Sequence, residues 1–126
     1  GDAGALFLGL LIAILTVRFK PSTDSSISSF AVPVLLLAIP ILDTTVAVFS
    51  RIRRKVSPFQ GGKDHLSHRL VRAGLSRKLS AISLWSLTAL FSFFAVLISL
   101  PNNSYDLIIV AVASSFWLLL FIYFFK

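Results

Sequence analysis

Apolar residues along the chain gather into four long stretches rather than into alternating or short amphipathic patterns. The first covers 5–17 and ends at Arg18 and Lys20; the second covers 27–49 and is interrupted by Pro33, Pro40 and Asp43. The third, 79–100, is stopped by Pro101, and the fourth, 107–125, is uniform up to Lys126. A helix needs about 20 apolar residues to cross a hydrocarbon core of about 30 Å. The pattern therefore predicts four transmembrane helices, the short first one extended by the aliphatic stems of Arg18 and Lys20. No stretch shows the apolar–polar alternation of a membrane β-barrel. The expected fold class is all-α: a polytopic membrane helix bundle of residues 1–126, with one substantial loop over 51–78 carrying a short helix.

Composition agrees. Of 126 residues, 56% are hydrophobic and 13% charged, against about 25% charged in soluble domains. A soluble globule of this size cannot hide so much apolar surface, and disordered chains are polar. Cysteine is absent, which excludes disulfides and thiolate metal sites. Methionine is absent too, and a chain that opens Gly1-Asp2-Ala3-Gly4 and runs straight into apolar sequence reads as cut from something longer. The first stretch is not expected to be a secretory signal, because its flank carries an acid and Val17-Arg18-Phe19 is no small-residue cleavage site.

The net charge of +7 is unevenly placed: nine of the twelve basic residues lie in 51–78, beside the single acid Asp64. The positive-inside rule puts that loop in the cytoplasm. Threading four spans through this constraint leaves 21–29 and 101–106 outside and brings Asp2 to the same face as the basic loop.

Within the loop, Pro58, Gly61 and Gly62 break any helix continuing from the second span. A helix of about ten residues should follow, with Asp64 as N-cap and Gly74 at C′. On it His65 and His68 are i,i+3 neighbours, and His65–Arg69 and His68–Arg72 are i,i+4 pairs. Leu66, Leu70 and Val71 form an apolar stripe facing the bundle, and Ser76 caps the next helix. The His-x-x-His pair is weak as a metal site, with only Asp64 as a third ligand inside a cationic loop. A solvated, lipid-touching helix with incidental histidines is a second reading. An anion site for phosphate or pyrophosphate is the third, and it gives all the charges a use: arginine forks match phosphate oxygens, and histidine donates to them. Asp2, between Gly1 and Gly4, is either an exposed helix cap or a Mg²⁺ ligand, since Mg²⁺ needs only one or two protein carboxylates beside substrate phosphates. Asp43 lies about 10 Å inside the second span, where a carboxylate costs about 2.5–3.5 kcal/mol. It should face a wet cavity beside the bend at Pro40, or make a structural hydrogen bond to a Ser or Thr.

These motifs, in this order, resemble the polyprenyl-phosphate N-acetylhexosamine-1-phosphate transferase family. The resemblance rests on Gly1-Asp2-Ala3-Gly4, Pro40-Ile41-Leu42-Asp43-Thr44, the run Arg51 to Arg54 with Ser57-Pro58-Phe59, and Asp64-His65-Leu66-Ser67-His68-Arg69-Leu70. It covers 1–78 with motifs and the remainder by hydropathy. It implies transfer of an N-acetylhexosamine-1-phosphate, from the N-acetylglucosamine branch, from a UDP-sugar to undecaprenyl or another polyprenyl phosphate, with release of UMP and Mg²⁺ as cofactor. Asp2 matches the family's metal-binding aspartate, and His65 and His68 match the outer histidines of its His-x-His-His signature. Ser67 stands where the third histidine would be, a departure that puts any role of that imidazole in doubt, although its hydroxyl can still hydrogen-bond a phosphate or uridine oxygen. The expected site is thus Asp2, His65 and His68 as catalytic residues, with Asp43, Asp64, Ser67, Arg69 and Arg72 as substrate-binding ones. The resemblance also implies an amino-terminal half with further acids, so that these 126 residues form a carboxy-terminal part, inactive alone. Expected surroundings are the bacterial plasma (inner) membrane and its lipids; no nucleic acid is expected as a partner, and a homodimer is left open. The competing class is a non-enzymatic membrane protein, such as a transporter fragment, whose basic loop binds lipid. That role would depend on charge count alone and tolerate loss of His65 and His68.

Overall fold

A computed structural model describes residues 2–18, 26–58, 62–100 and 104–126. They form six helices: α1 (Asp2–Arg18), α2 (Ser26–Leu36), α3 (Ala38–Arg53), α4 (Leu66–Arg72), α5 (Arg77–Ser99) and α6 (Asp106–Phe125). No strand occurs among the described residues. All four apolar stretches are helical, within a few residues of their expected ends.

The second stretch is not one rod. Its two halves, α2 and α3, meet at Leu37 with a bend of 64°. Pro40 accounts for the break, because a proline three residues into α3 has no N–H for the Leu36 carbonyl and its ring clashes with that carbonyl. The ladder resumes on either side: the Leu37 amide donates to the Pro33 carbonyl at 3.2 Å, and Ile41 to Leu37 at 2.9 Å. At the break the Trp117 indole N–H of α6 donates to the Ala38 carbonyl at 2.9 Å. A side chain from another span thus docks on the backbone beside the break.

α5 and α6 are long and apolar enough to cross a membrane, and the bent α2–α3 pair makes a third crossing if it is counted as one span. Among the described residues the expected count of four is not confirmed. At 17 residues, α1 reaches about 25 Å, short of the hydrocarbon thickness.

The bundle core joins Val32 of α2, Leu42 and Val46 of α3, Phe91, Ala95 and Ile98 of α5 and Ala113 of α6. The buried alanines at 38, 47, 95 and 113 let helices approach closely, as membrane interfaces require. α2 lies along α5, α3 along α6, and α1 against α2. Leu66, the first residue of α4, is fully buried in the same cluster, so the basic loop is pegged into the core by one apolar side chain. Leu70 packs beside it half-buried, whereas Val71, expected on that stripe, is 39% exposed.

Both ends of α4 differ from a free helix. Gly74, with φ +102°, is the C′ residue of a Schellman ending. Its amide donates to the Val71 carbonyl at 3.1 Å and the Leu75 amide to the Leu70 carbonyl at 3.2 Å. Ser76 caps α5 as expected, its Oγ accepting from the Leu79 amide at 3.2 Å. No heavy atom lies within 4 Å of a Cβ placed on Gly74, so the cost of Gly74→Ala is purely backbone, about 1 kcal/mol for a left-handed L-residue. Thermal unfolding in detergent should show a Tm lower by a few degrees, with far-UV helicity unchanged at low temperature.

Candidate functional site

The loop that leaves α3 carries its positive charges into a small space, and Asp64 collects them. Arg51 Nε donates to Asp64 Oδ2 at 3.0 Å, and Arg54 Nη2 donates to Asp64 Oδ1. Arg51 and Asp64 are both buried. Arg51 Nη1 also donates to the Pro58 carbonyl at 2.6 Å, fixing the turn after α3. Arg69, from α4, donates through Nε to the Asp64 backbone carbonyl at 2.9 Å and through Nη1 to the Phe124 carbonyl at 2.7 Å. The second of these places a cation on the C-terminal carbonyls of α6, where the helix dipole favours it. Arg53 lies over the Phe125 ring, 5.6 Å from its centroid, and adds a cation–π contact to the same corner.

Asp64 therefore does not cap α4. His65 is the N-cap residue and makes no side-chain cap bond. The carboxylate at this helix end is Asp43, reaching from α3: its Oδ1 accepts from the Leu66 amide at 2.6 Å and its Oδ2 lies 2.8 Å from His65 Nδ1. Charge-assisted bonds are worth about 1.5–3 kcal/mol each, more than the roughly 1 kcal/mol of an N-cap, so two guanidinium groups draw Asp64 away from the helix end. The Thr44 and Thr45 hydroxyls bond back to the Pro40 and Ile41 carbonyls at 2.9 and 2.6 Å; the partners of Asp43 are His65 and the α4 backbone.

The expected site residues thus divide into three groups. Ser67, His68 and Arg72 line one cavity of about 620 Å³ between α4 and α5, together with Lys63, Arg77, Ser80, Leu84 and Trp85. No acid is among its lining, so cations and hydroxyls face an apolar wall. Lys63, Arg77 and Trp85 were not singled out in the sequence; the Trp85 side chain, 72% exposed, sits two turns into an apolar helix where pattern alone reads it as lipid-facing. Asp43 lines a second cavity of about 360 Å³ with Pro40, Leu66 and Thr88, and Ser67, Leu84 and Trp85 are common to both. Asp64 and Arg69 instead knit the loop together, and His65 is held against Asp43. The α1 helix begins at Asp2, but the Asp2 side chain lies outside the described residues.

Two groups of the loop are shifted by these surroundings. Hydrogen bonding from Arg51, supported by Arg54 and opposed by burial, holds the Asp64 carboxyl below its ordinary value of 3.8. Burial, with Arg72 nearby, holds the Arg69 guanidinium below its ordinary value, and a guanidinium so shifted remains a cation. A divalent metal finds no ready cage: no group of three His, Asp or Glu side chains converges among the described residues. The carboxylates of Asp43 and Asp64 are taken up by His65, Leu66, Arg51 and Arg54. These residues do not by themselves fit a Mg²⁺ site.

Comparison with known proteins places this arrangement. Over 126 residues the chain is 33% identical to the probable undecaprenyl-phosphate N-acetylglucosaminyl 1-phosphate transferase of Bacillus subtilis (strain 168), a match covering 98% of this chain and 31% of the relative. Along nearly its whole length the chain is thus similar to one part of a polyprenyl-phosphate N-acetylglucosaminyl 1-phosphate transferase. The undecaprenyl-phosphate alpha-N-acetylglucosaminyl 1-phosphate transferase of Escherichia coli (strain K12) is 26% identical over 77% of the chain and 26% of its own length. The decaprenyl-phosphate N-acetylglucosaminephosphotransferase of Mycolicibacterium smegmatis is 29% identical over 75% of the chain and 26% of its own length. The chain spans about a third or less of these transferases. No family model and no solved structure matches it. With its apolar helices and these relatives, the protein is a membrane protein.

Two outcomes follow from the ion cluster. A Cβ on Gly62 would lie 2.6 Å from Asp64 Oδ2 and 3.5 Å from Arg51 Nη2, and the carboxylate, gripped from two sides, has little room to retreat. Gly62→Ala should raise hydrogen exchange at the Leu66 to Leu70 amides while leaving α5 protected; unchanged loop protection would refute the tightness assigned to this cluster. Acid should act on the same bond. Because the folded Asp64 carboxyl titrates below 3.8, its contribution is complete above that pH and is lost as pH falls through the lowered value. Loop exchange measured between pH 5 and the acid limit should accelerate only below about 3.8, and Asp64→Asn should show the fast exchange already at neutral pH.

Proposed function

We propose that the chain forms part of an enzyme that transfers N-acetylglucosamine-1-phosphate from a UDP-sugar to undecaprenyl or a related polyprenyl phosphate, releasing UMP. The cavity between α4 and α5 carries this reading: Lys63, His68, Arg72 and Arg77 converge there with the Ser67 and Ser80 hydroxyls and no acid, in a chain that matches such a transferase along 98% of its length. Phosphoryl transfer asks a protein chiefly for positioning and charge neutralisation, which these groups can supply. Arg72 and Arg77 offer paired donors to non-bridging phosphate oxygens, Lys63 a point charge, and His68 and Ser67 single hydrogen bonds. The polyprenyl phosphate would come from the lipid side, along the bent α2–α3 pair, and meet the donor where Ser67, Leu84 and Trp85 are common to the two cavities.

The same reading places the basic loop on the cytoplasmic face of the bacterial plasma membrane, where UDP-sugars are found. Mg²⁺ with Asp2 as its protein ligand belongs to it as a proposal, with the remaining ligands outside this chain. The steps assigned to Lys63, His68, Arg72 and Arg77 concern binding and charge alone.

The test is turnover of radiolabelled UDP-N-acetylglucosamine into lipid by membranes holding the complete enzyme. Arg72→Ala, His68→Ala, His65→Ala and Asp2→Asn should each lower turnover at least about tenfold, a loss of some 1.4 kcal/mol in transition-state stabilisation, with membrane insertion intact. A lipid-anchoring loop, by contrast, tolerates the histidine substitutions. Wild-type rates in all four would refute the site, and Mg²⁺-dependent UMP release by these 126 residues alone would refute their being an incomplete part.

A further inference from the structure

The Asp43 carboxylate does more than cap a helix. Its Oδ1 accepts from the Leu66 amide at 2.6 Å while its Oδ2 meets His65 Nδ1 at 2.8 Å. Both contacts run from α3 to the loop 22 and 23 residues on, so they tie the bent span to the start of α4. A carboxylate offers acceptors only, and the contact to the ring therefore requires the proton on Nδ1. We propose that Asp43 is a positioning residue for His65: it fixes which ring nitrogen carries the hydrogen and holds the imidazole by that edge, leaving Nε2 as the nitrogen turned to chemistry. The proposal rests on the reading above for His65's part in transfer, but the hold on the ring is a separate matter.

Three features make this more than a helix cap. A cap needs only the Leu66 amide, whereas this carboxylate spends its second oxygen on the preceding side chain. Leu66 is fully buried, so the backbone from which His65 projects is itself fixed. Asp43 also lies early in α3, just after the break at Leu37, so the direction of its side chain is set by the bend. The arrangement has the logic of a carboxylate that orients a histidine through one nitrogen and leaves the other to act.

Asp43→Asn separates orientation from capping. The amide oxygen can still accept from the Leu66 N–H, but its NH₂ then faces Nδ1, which must accept, and the ring hydrogen moves to Nε2. The chain is to be labelled with ¹⁵N-histidine and placed in lipid nanodiscs well above pH 6.5, the ordinary histidine value. Its ring-nitrogen spectrum should report the Nδ1–H form for His65 in the wild type and the Nε2–H form in Asp43→Asn. His68 should stay unchanged, and slow exchange of the Leu66 amide should show that α4 is still capped. Asp43→Ala should lose both the fixed tautomer and that protection. A His65 tautomer that is the same in the wild type and Asp43→Asn, with α4 protected, overturns the proposal.

Turnover by the complete enzyme distinguishes this failure from the other. With the tautomer switched, Asp43→Asn should lower kcat about 10–100-fold, the loss seen when orienting partners of ligating histidines are removed, with the KM for the UDP-sugar little altered. A switched tautomer with wild-type kcat leaves the hold on the ring standing and removes His65 from the transfer reaction.

Discussion

A loop with nine cations and one anion has to fold against its own repulsion, and the Asp64 carboxylate is where that repulsion is answered. Arg51 and Arg54 close on its two oxygens, and Arg69 binds the carbonyl of the same residue. Buried charge is tolerable only when paired and fully hydrogen-bonded, and here the pairing bends the chain back over the end of α3. With Arg51, Arg54 and Arg69 held by the Asp64 carboxylate and by backbone carbonyls, three of the six other cations, Lys63, Arg72 and Arg77, line a cavity. The division of labour among like charges, some structural and some facing outward, is the physical basis of the site.

The membrane part supplies the other constraint. A bilayer offers no water for a stray carbonyl, so a proline break inside a span has to be served by protein. Pro40 makes the break, and the Trp117 indole of α6 donates to the Ala38 carbonyl beside it. The 64° change of direction points Asp43 toward the loop and leaves a cavity next to Pro40. Bend, carboxylate and loop helix are one mechanical unit, with Leu66 as the point where the polar loop enters the apolar core.

Much of this was legible in the sequence. Span positions followed from hydropathy, the Gly74 and Ser76 caps from residue type and spacing, and the bend from Pro40. What failed to show were the choices made by tertiary competition. Asp64 is a good N-cap by local rules, but two arginines 13 and 10 residues upstream reach it first. His65 and His68 look equivalent at i,i+3, yet one turns to a carboxylate in a span and the other to the basic cavity. Lys63, Arg77 and Trp85 come from different turns and meet only because α4 folds back along α5. A one-dimensional pattern records which groups are available, whereas their partners are settled by which charge lies nearest in space.

The grip of α6 on the loop has a consequence for time. Arg69 donates to the Phe124 carbonyl, Arg53 lies on the Phe125 ring, and Trp117 donates to the Ala38 carbonyl. Chains emerge from the ribosome amino end first, so the basic loop is synthesised well before its last partners exist. Until α6 inserts, Arg69 lacks one acceptor and the bend lacks its indole. The site is therefore completed from its carboxy-terminal side, and its completion reports that α6 has reached its place.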